Sequence, residues 1–141
     1  MRKKRAIICD IDGTLALLQS RNPYDPTSGE DILNDPIANI LEVYDNQKAF
    51  DVSLILISGR EERYREHTIR WLEKYGITNY KKLFLRKNGD RRKDFVIKKE
   101  IYNNFIKNRY DVLFVLEDRD QVVKMWRDEG ITCLQVAYGD F

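Results

Sequence analysis

The 141 residues carry 25 basic and 23 acidic side chains for a net charge of +2, and 43% are apolar, with eight Tyr, six Phe and two Trp. This is one domain's length with enough apolar material for a core, which excludes a disordered chain. The balanced charge excludes a polycation, and two Cys with one His exclude a disulfide framework and leave little for a zinc site or a histidine triad.

In chain order, short apolar runs at 6–11, 52–58, 82–86, 112–117 and 132–136 predict strands. Between them, the spacing predicts helices over 36–47, 61–75, 95–107 and 120–129. Tyr64, Thr68, Trp71, Leu72 and Tyr75 share one face of the second helix, and Gly76 ends it. Asp35 ahead of Pro36 is a helix start. Strands apolar almost throughout and alternating with helices mean a parallel sheet of about five strands covered on both faces, a three-layer Rossmann-like α/β domain over 1–141. Residues 16–34, ALLQSRNPYDPTSGEDILN, are too long and too rich in turn formers for an ordinary connection, and read as an irregular active-site loop. The apolar runs are only a few residues long and no signal peptide is apparent, so a soluble, reducing, cytoplasmic setting without a membrane partner is expected. Cys9 and Cys133 fall inside strands as small apolar residues.

Ligands of open parallel sheets bind at the carboxyl ends of the strands. The first strand ends in Asp10 and Asp12, the second in Ser58-Gly59-Arg60 and the fourth in Glu117-Asp118-Arg119, while GDRRKD follows the third. Acids, a hydroxyl and cations thus converge on one edge. Two crowded carboxylates repel each other, and a third at Asp118 makes a hard oxygen site suited to Mg²⁺, which would offset the repulsion. Ser58 and Lys93 could bind phosphoryl oxygens opposite the ion.

DIDGT at the first strand, a strand ending in Ser58, the later Lys93 and the pair Glu117-Asp118 together resemble the haloacid dehalogenase superfamily, with four motifs in order along nearly the whole chain. DIDGTLALLQSRNPYD, SGREE, GDRRKDFVIKKEI and DRDQVVKMWRDEGITCLQVAYGDF are further similar to the phosphatase domains of bacteriophage polynucleotide kinase-phosphatases. The resemblance implies a haloacid dehalogenase fold without a large cap domain, and a 3′-phosphatase of DNA or RNA ends. It implies Asp10 as nucleophile, Asp12 as general acid and base, and Ser58 and Lys93 as stabilisers of the phosphoryl group. Mg²⁺ would be held by Asp10, Asp118, Glu117 and the backbone carbonyl of Asp12. Arg21, Arg60, Thr14 and Asp90 are implied on the substrate side. Where the family commonly has two adjacent aspartates, this chain has Glu117-Asp118. No GxxxxGK[ST] phosphate loop occurs, so no kinase domain is present in these residues, although a kinase or ligase of the same repair pathway is an expected partner.

Two other readings stay open. A phosphatase of nucleotides or small phosphoesters would share every motif, although residues 16–34 are far too short to form a capping domain. A silent sensor of phosphorylated ends would have no need of the nucleophile that Asp10 supplies.

Overall fold

The structure, a computed structural model, describes residues 2–46 and 51–141. Five strands build the central sheet: β1 (Lys4–Asp10), β4 (Val52–Glu61), β5 (Lys82–Arg86), β6 (Tyr110–Glu117) and β7 (Cys133–Gln135). Their spatial order is β5-β4-β1-β6-β7, and every pairing is parallel. The other two strands, β2 (Ala16–Leu17) and β3 (Ile32–Leu33), form a small antiparallel ribbon between β1 and the first helix.

Four α-helices cover the sheet: α1 (Asp35–Asn46), α2 (Arg65–Lys74), α3 (Asp94–Ile101) and α4 (Asp120–Asp128). Strand residues alternate between the two faces, as a two-residue period requires. Ile7, Cys9, Leu56, Leu83 and Leu116 pack with Ile37 and Leu41 of α1 and Trp71 and Leu72 of α2. Ala6, Ile8, Ile55, Ile57 and Val115 pack with Ile97 and Ile101 of α3 and Val122, Val123 and Trp126 of α4. This parity decides the chemistry. Continuing it past Ile8 and Val115 puts Asp10 and Glu117 on the side of α3.

The expected α/β sheet of five parallel strands is present, with shifts at several element ends. β4 runs three residues beyond Ser58, to Glu61. The second predicted helix opens as a 3-10 turn over Glu62–Tyr64. The third divides into α3 and a wider π turn, Tyr102–Ile106, closed by Lys107 N donating to Tyr102 O at 2.8 Å. Residue 47, the expected end of α1, lies outside the described residues.

Segment 16–34 is more ordered than its composition predicted. Besides the β2–β3 ribbon it holds a chain of local bonds, with Tyr24 N donating to Asn22 Oδ1, Thr27 N to Asp25 Oδ1 and Ser28 N to Asp25 O. Asn and Asp side chains bond their own backbone a few residues on, so a polar segment acquires fixed turns. The side chain of Asn34 then donates to Thr14 O, fastening the ribbon to the turn after β1.

Candidate active site

The chain fills the sheet outward from β1 to β4 and β5, then crosses over to β6 and β7. A crevice outside the carboxyl ends of β1 and β6 is where this topology places ligands. Asp10 ends β1, Glu117 ends β6 and Asp118 follows it directly. All three are buried, with carboxylate oxygens within 4.8 Å of one another. Gly13, at φ +84°, makes the approach possible, because a Cβ there would lie 2.2 Å from Asp118 Oδ2. Thr14 Oγ1 lies 3.1 Å from Asp118 Oδ1 and 3.4 Å from Asp10 Oδ2, bonded to both.

The cation among these acids is Lys98. Its Nζ lies 2.8 Å from Asp10 Oδ1, 2.9 Å from Glu117 Oε1 and 3.2 Å from Asp94 Oδ2. Burial alone would lower the lysine's pKa, but the charges of Asp10, Asp94 and Glu117 outweigh it and hold the ammonium well above its ordinary range. Lys93 does not take this place. It is an exposed residue immediately before α3, and its carbonyl accepts the first bonds of that helix from Val96 N and Ile97 N. The correction has a simple cause. The buried face of α3 is Asp94, Ile97, Lys98 and Ile101, and only Lys98 puts a cation on it. A lysine inside an apolar helical stripe was the signal available in the sequence.

Burial, followed by the charge of Asp10, pushes Asp118 up to about 7. Burial and Asp10 likewise raise Glu117 well above the carboxylate range, against the opposing pull of Lys98. One ammonium therefore does not balance the acids. The excess of hard oxygen charge fits a divalent cation such as Mg²⁺, with Asp10, Asp118 and Glu117 as its side-chain ligands.

Asp12 turns the other way. Its carboxylate accepts from Arg60 Nε at 3.0 Å and Nη2 at 2.7 Å, and from Arg21 Nη2 at 3.0 Å. Asp31 closes the square, bonded to Arg21 Nε at 2.6 Å and Arg60 Nη2 at 2.9 Å. Arg60 Nη1 also donates to Thr68 Oγ1, and Trp71 Nε1 to Asp31 O, so α2 braces the group. Arg21 and Arg60 were expected on substrate. They are instead engaged in holding Asp12, and the side chain of Asp12 stands outside the acid cluster. Asp31 was missed by the sequence reading, since nothing in an aperiodic loop marks one acid over its neighbours.

The remaining candidates are scattered. Ser58 is fully enclosed, its Oγ accepting from Arg60 N at 3.1 Å, and Gly59 and Arg60 line the cavity where Ser58 does not. A Cβ on Gly59 would come within 2.7 Å of Asp94 Oδ1. Asp90 is paired with Arg92, whose side-chain and backbone N–H groups pull its carboxyl down to about 2. Its backbone carbonyl accepts from Arg86, so Asp90 orders two arginines.

Around the acids lies an open cavity of about 970 Å³. Asp10, Asp12, Glu117 and Asp118 stand among its walls, together with Arg63, Arg86, Arg91, Arg92, Lys93 and Arg119. Anionic centre and cationic walls suit a ligand that brings several negative charges to a bound metal.

A family model described as the polynucleotide kinase PNKP phosphatase domain matches residues 4–141. The chain is 35% identical over 126 residues to a protein of Autographa californica nuclear polyhedrosis virus named a bifunctional polynucleotide kinase/RNA ligase, covering 88% of this chain and 18% of that one. Among solved structures it is similar to a chain of a Pnkp1/Rnl/Hen1 complex, with a TM-score of 0.92 and 48% identity over 99% of this chain and 48% of that one. The class C acid phosphatase of Bacillus anthracis, solved with tungstate bound, shares the fold at a TM-score of 0.65 and 17% identity, over 99% of this chain and 70% of that one. The chain thus spans less than a fifth of the viral relative and about half of the Pnkp1 chain.

Proposed function

We propose that this chain, which belongs to the family of polynucleotide kinase phosphatase domains, is a Mg²⁺-dependent phosphatase of 3′-phosphorylated DNA or RNA ends. The observation that carries the reading is the division between Asp10 and Asp12. Two residues apart, one sits with Lys98 and two further acids, and the other sits between two arginines. Such paired environments assign different roles to chemically similar groups.

Asp10 attacks phosphorus, forming an aspartyl phosphate as the bond from phosphorus to the 3′ oxygen breaks. Asp12, entering this step as the carboxylic acid rather than as the carboxylate that the arginines grip in the free chain, gives its proton to the departing oxygen. It then takes a proton from the water that attacks the aspartyl phosphate, so that inorganic phosphate leaves and Asp10 is restored. Arg21, Arg60 and Asp31 orient the Asp12 carboxyl for both transfers. Lys98 aligns Asp10 and faces the charge that develops on the phosphoryl oxygens, a contribution of roughly 3–4 kcal/mol for a well-placed donor. Mg²⁺ bound by Asp10, Asp118 and Glu117 would supply further neutralisation of those oxygens. The cationic walls support a polymeric substrate, and the names of the relatives support a place in nucleic-acid end repair beside a kinase or ligase.

Phosphate release from a 3′-phosphorylated oligonucleotide, a 5′-phosphorylated one and free 3′- and 5′-nucleotides, with and without Mg²⁺, tests this. The expected result is Mg²⁺-dependent release selective for the 3′ end of the oligonucleotide. Equal rates on all four would make the chain a general phosphatase, and release from none would make it a sensor.

A further inference from the structure

The segment that follows β7 ends with Phe141 in the lining of the cavity, and none of the steps above uses it. Gly139 packs so tightly on the end of β6 that a Cβ would lie 1.9 Å from Asp118 O and 2.6 Å from Arg119 Cα. Its carbonyl accepts from Asp120 N and from Phe141 N, each at 2.8 Å, and Gln121 Nε2 donates to Phe141 O at 3.1 Å. These bonds fix the backbone of Phe141 against the wall that also carries Asp10 and Asp118.

The ring itself is not in the core. Phe141 is 62% exposed, with the Arg119 guanidinium over it at 4.6 Å from the centroid. Arg119 is tethered in turn by Asp94, 3.7 Å away, in the carboxylate cluster around Lys98. An apolar ring anchored through its backbone and backed by a cation, yet left to water beside a polar site, presents a flat π face to whatever enters. The cation–π contact orients that ring. Stacking on such a face accepts any base, because every base has a π surface, and cationic groups beside it hold the strand's phosphates.

We infer that Phe141, backed by Arg119, is the platform on which the base of the phosphate-bearing terminal nucleotide stacks. The inference rests on the polynucleotide reading given under Proposed function. It makes the site sensitive to the presence of a terminal base and indifferent to its identity.

The test uses two oligonucleotides that carry a 3′-phosphate, one on an ordinary terminal nucleotide and one on a stable tetrahydrofuran abasic residue. For the wild-type chain, KM is expected to be about tenfold lower for the base-bearing end, within the range that one stacked base supplies. Phe141→Ala and Phe141→Leu are expected to erase that difference, and Phe141→Trp to keep it. The leucine variant preserves apolar volume, so a mere packing role predicts that it still discriminates, and that result overturns the inference. Equal KM values for both ends in the wild-type chain would overturn the platform alone. No release from either substrate would remove the polynucleotide reading, and the platform with it.

Discussion

Lys98 Nζ lies 2.8 Å from Asp10 Oδ1, joining α3 to the end of β1 across 88 residues of sequence. The lysine is 2% exposed and Asp94 and Glu117 share it, so its removal takes the cation from buried Asp10 and Glu117, while Asp94 keeps Arg86 and Arg119. Lys98→Met is therefore expected to lower turnover by about 10²–10³-fold, as loss of a well-placed donor does. It should also destabilise the fold by about 3–5 kcal/mol, the cost of breaking a buried ion pair from one side. Lys93→Ala, at an exposed position, is expected to change stability by no more than about 0.5 kcal/mol. Phosphate release and thermal unfolding of both variants check this. Equal loss of turnover in the two would return the role to Lys93.

The two lysines also mark how far the sequence was legible. The sheet was readable because strand period and apolar runs are local signals. Asp10 and Asp118 were readable because an acid at the end of a buried strand is conspicuous. Lys98 was not chosen, because a basic run offers several cations and only the phase of α3 tells which one enters the interior. Asp31 carries no period at all, and its partners Arg21, Arg60 and Trp71 come together only in three dimensions. The π turn after α3 was equally hidden, since Phe105 and Ile106 are both apolar and only the three-dimensional structure shows that the step from Ile101 buries Ile106 and leaves Phe105 exposed. It nevertheless seats Phe105 on Phe84 at 5.5 Å and Tyr102 edge-on to Trp126 at 5.6 Å.

Asp31 touches neither the acid cluster nor, by this reading, the substrate, and it acts through the two arginines that grip Asp12. Asp31→Asn is expected to lower kcat about 10–100-fold on an oligonucleotide 3′-phosphate, part of the 10²–10⁴-fold that general acid catalysis supplies. With p-nitrophenyl phosphate, whose leaving group needs no protonation, the loss should shrink to a few-fold. A variant with merely damaged structure would lose both activities alike, so the ratio of the two rates is the measurement.

Gly139 is constrained by packing against the backbone that follows β6. The three atoms nearest to a methyl group there are backbone atoms of Asp118 and Arg119, which cannot swing aside as a side-chain end can. Gly139→Ala is expected to destabilise the protein by about 1–3 kcal/mol through overpacking. Gly89 has φ +79° but open space around its missing Cβ. Gly89→Ala should therefore lose about 1–2 kcal/mol, from backbone strain alone. Thermal unfolding of both variants side by side separates close packing from strain.

On the proposed reading, proton and Mg²⁺ would compete for Asp10, Glu117 and Asp118, and the shifts of these acids bear on the pH dependence of stability. Asp118 titrates near 7 in the folded chain against 3.8 as its ordinary value, because burial and Asp10 disfavour its charge. Between these values the folded state holds a proton that the unfolded state has lost. Stability without metal is thus fully supported below about 3.8, falls as pH rises, and is flat with respect to this group above about 7. Glu117, also raised, acts in the same direction. Asp94 is lowered, its burial outweighed by Lys98 and Arg119, so its contribution is lost only in acid below the carboxylate range, while His67, lowered chiefly by burial, works in the opposite sense and costs stability as pH falls below 6.5. A divalent cation stands in for the missing proton once these acids ionise. Added MgCl₂ is therefore expected to raise the unfolding temperature clearly at pH 8 and little at pH 5.5, with Asp118→Asn removing most of the difference. An Mg²⁺ effect of equal size at both pH values would separate the ion from Asp118 and Glu117.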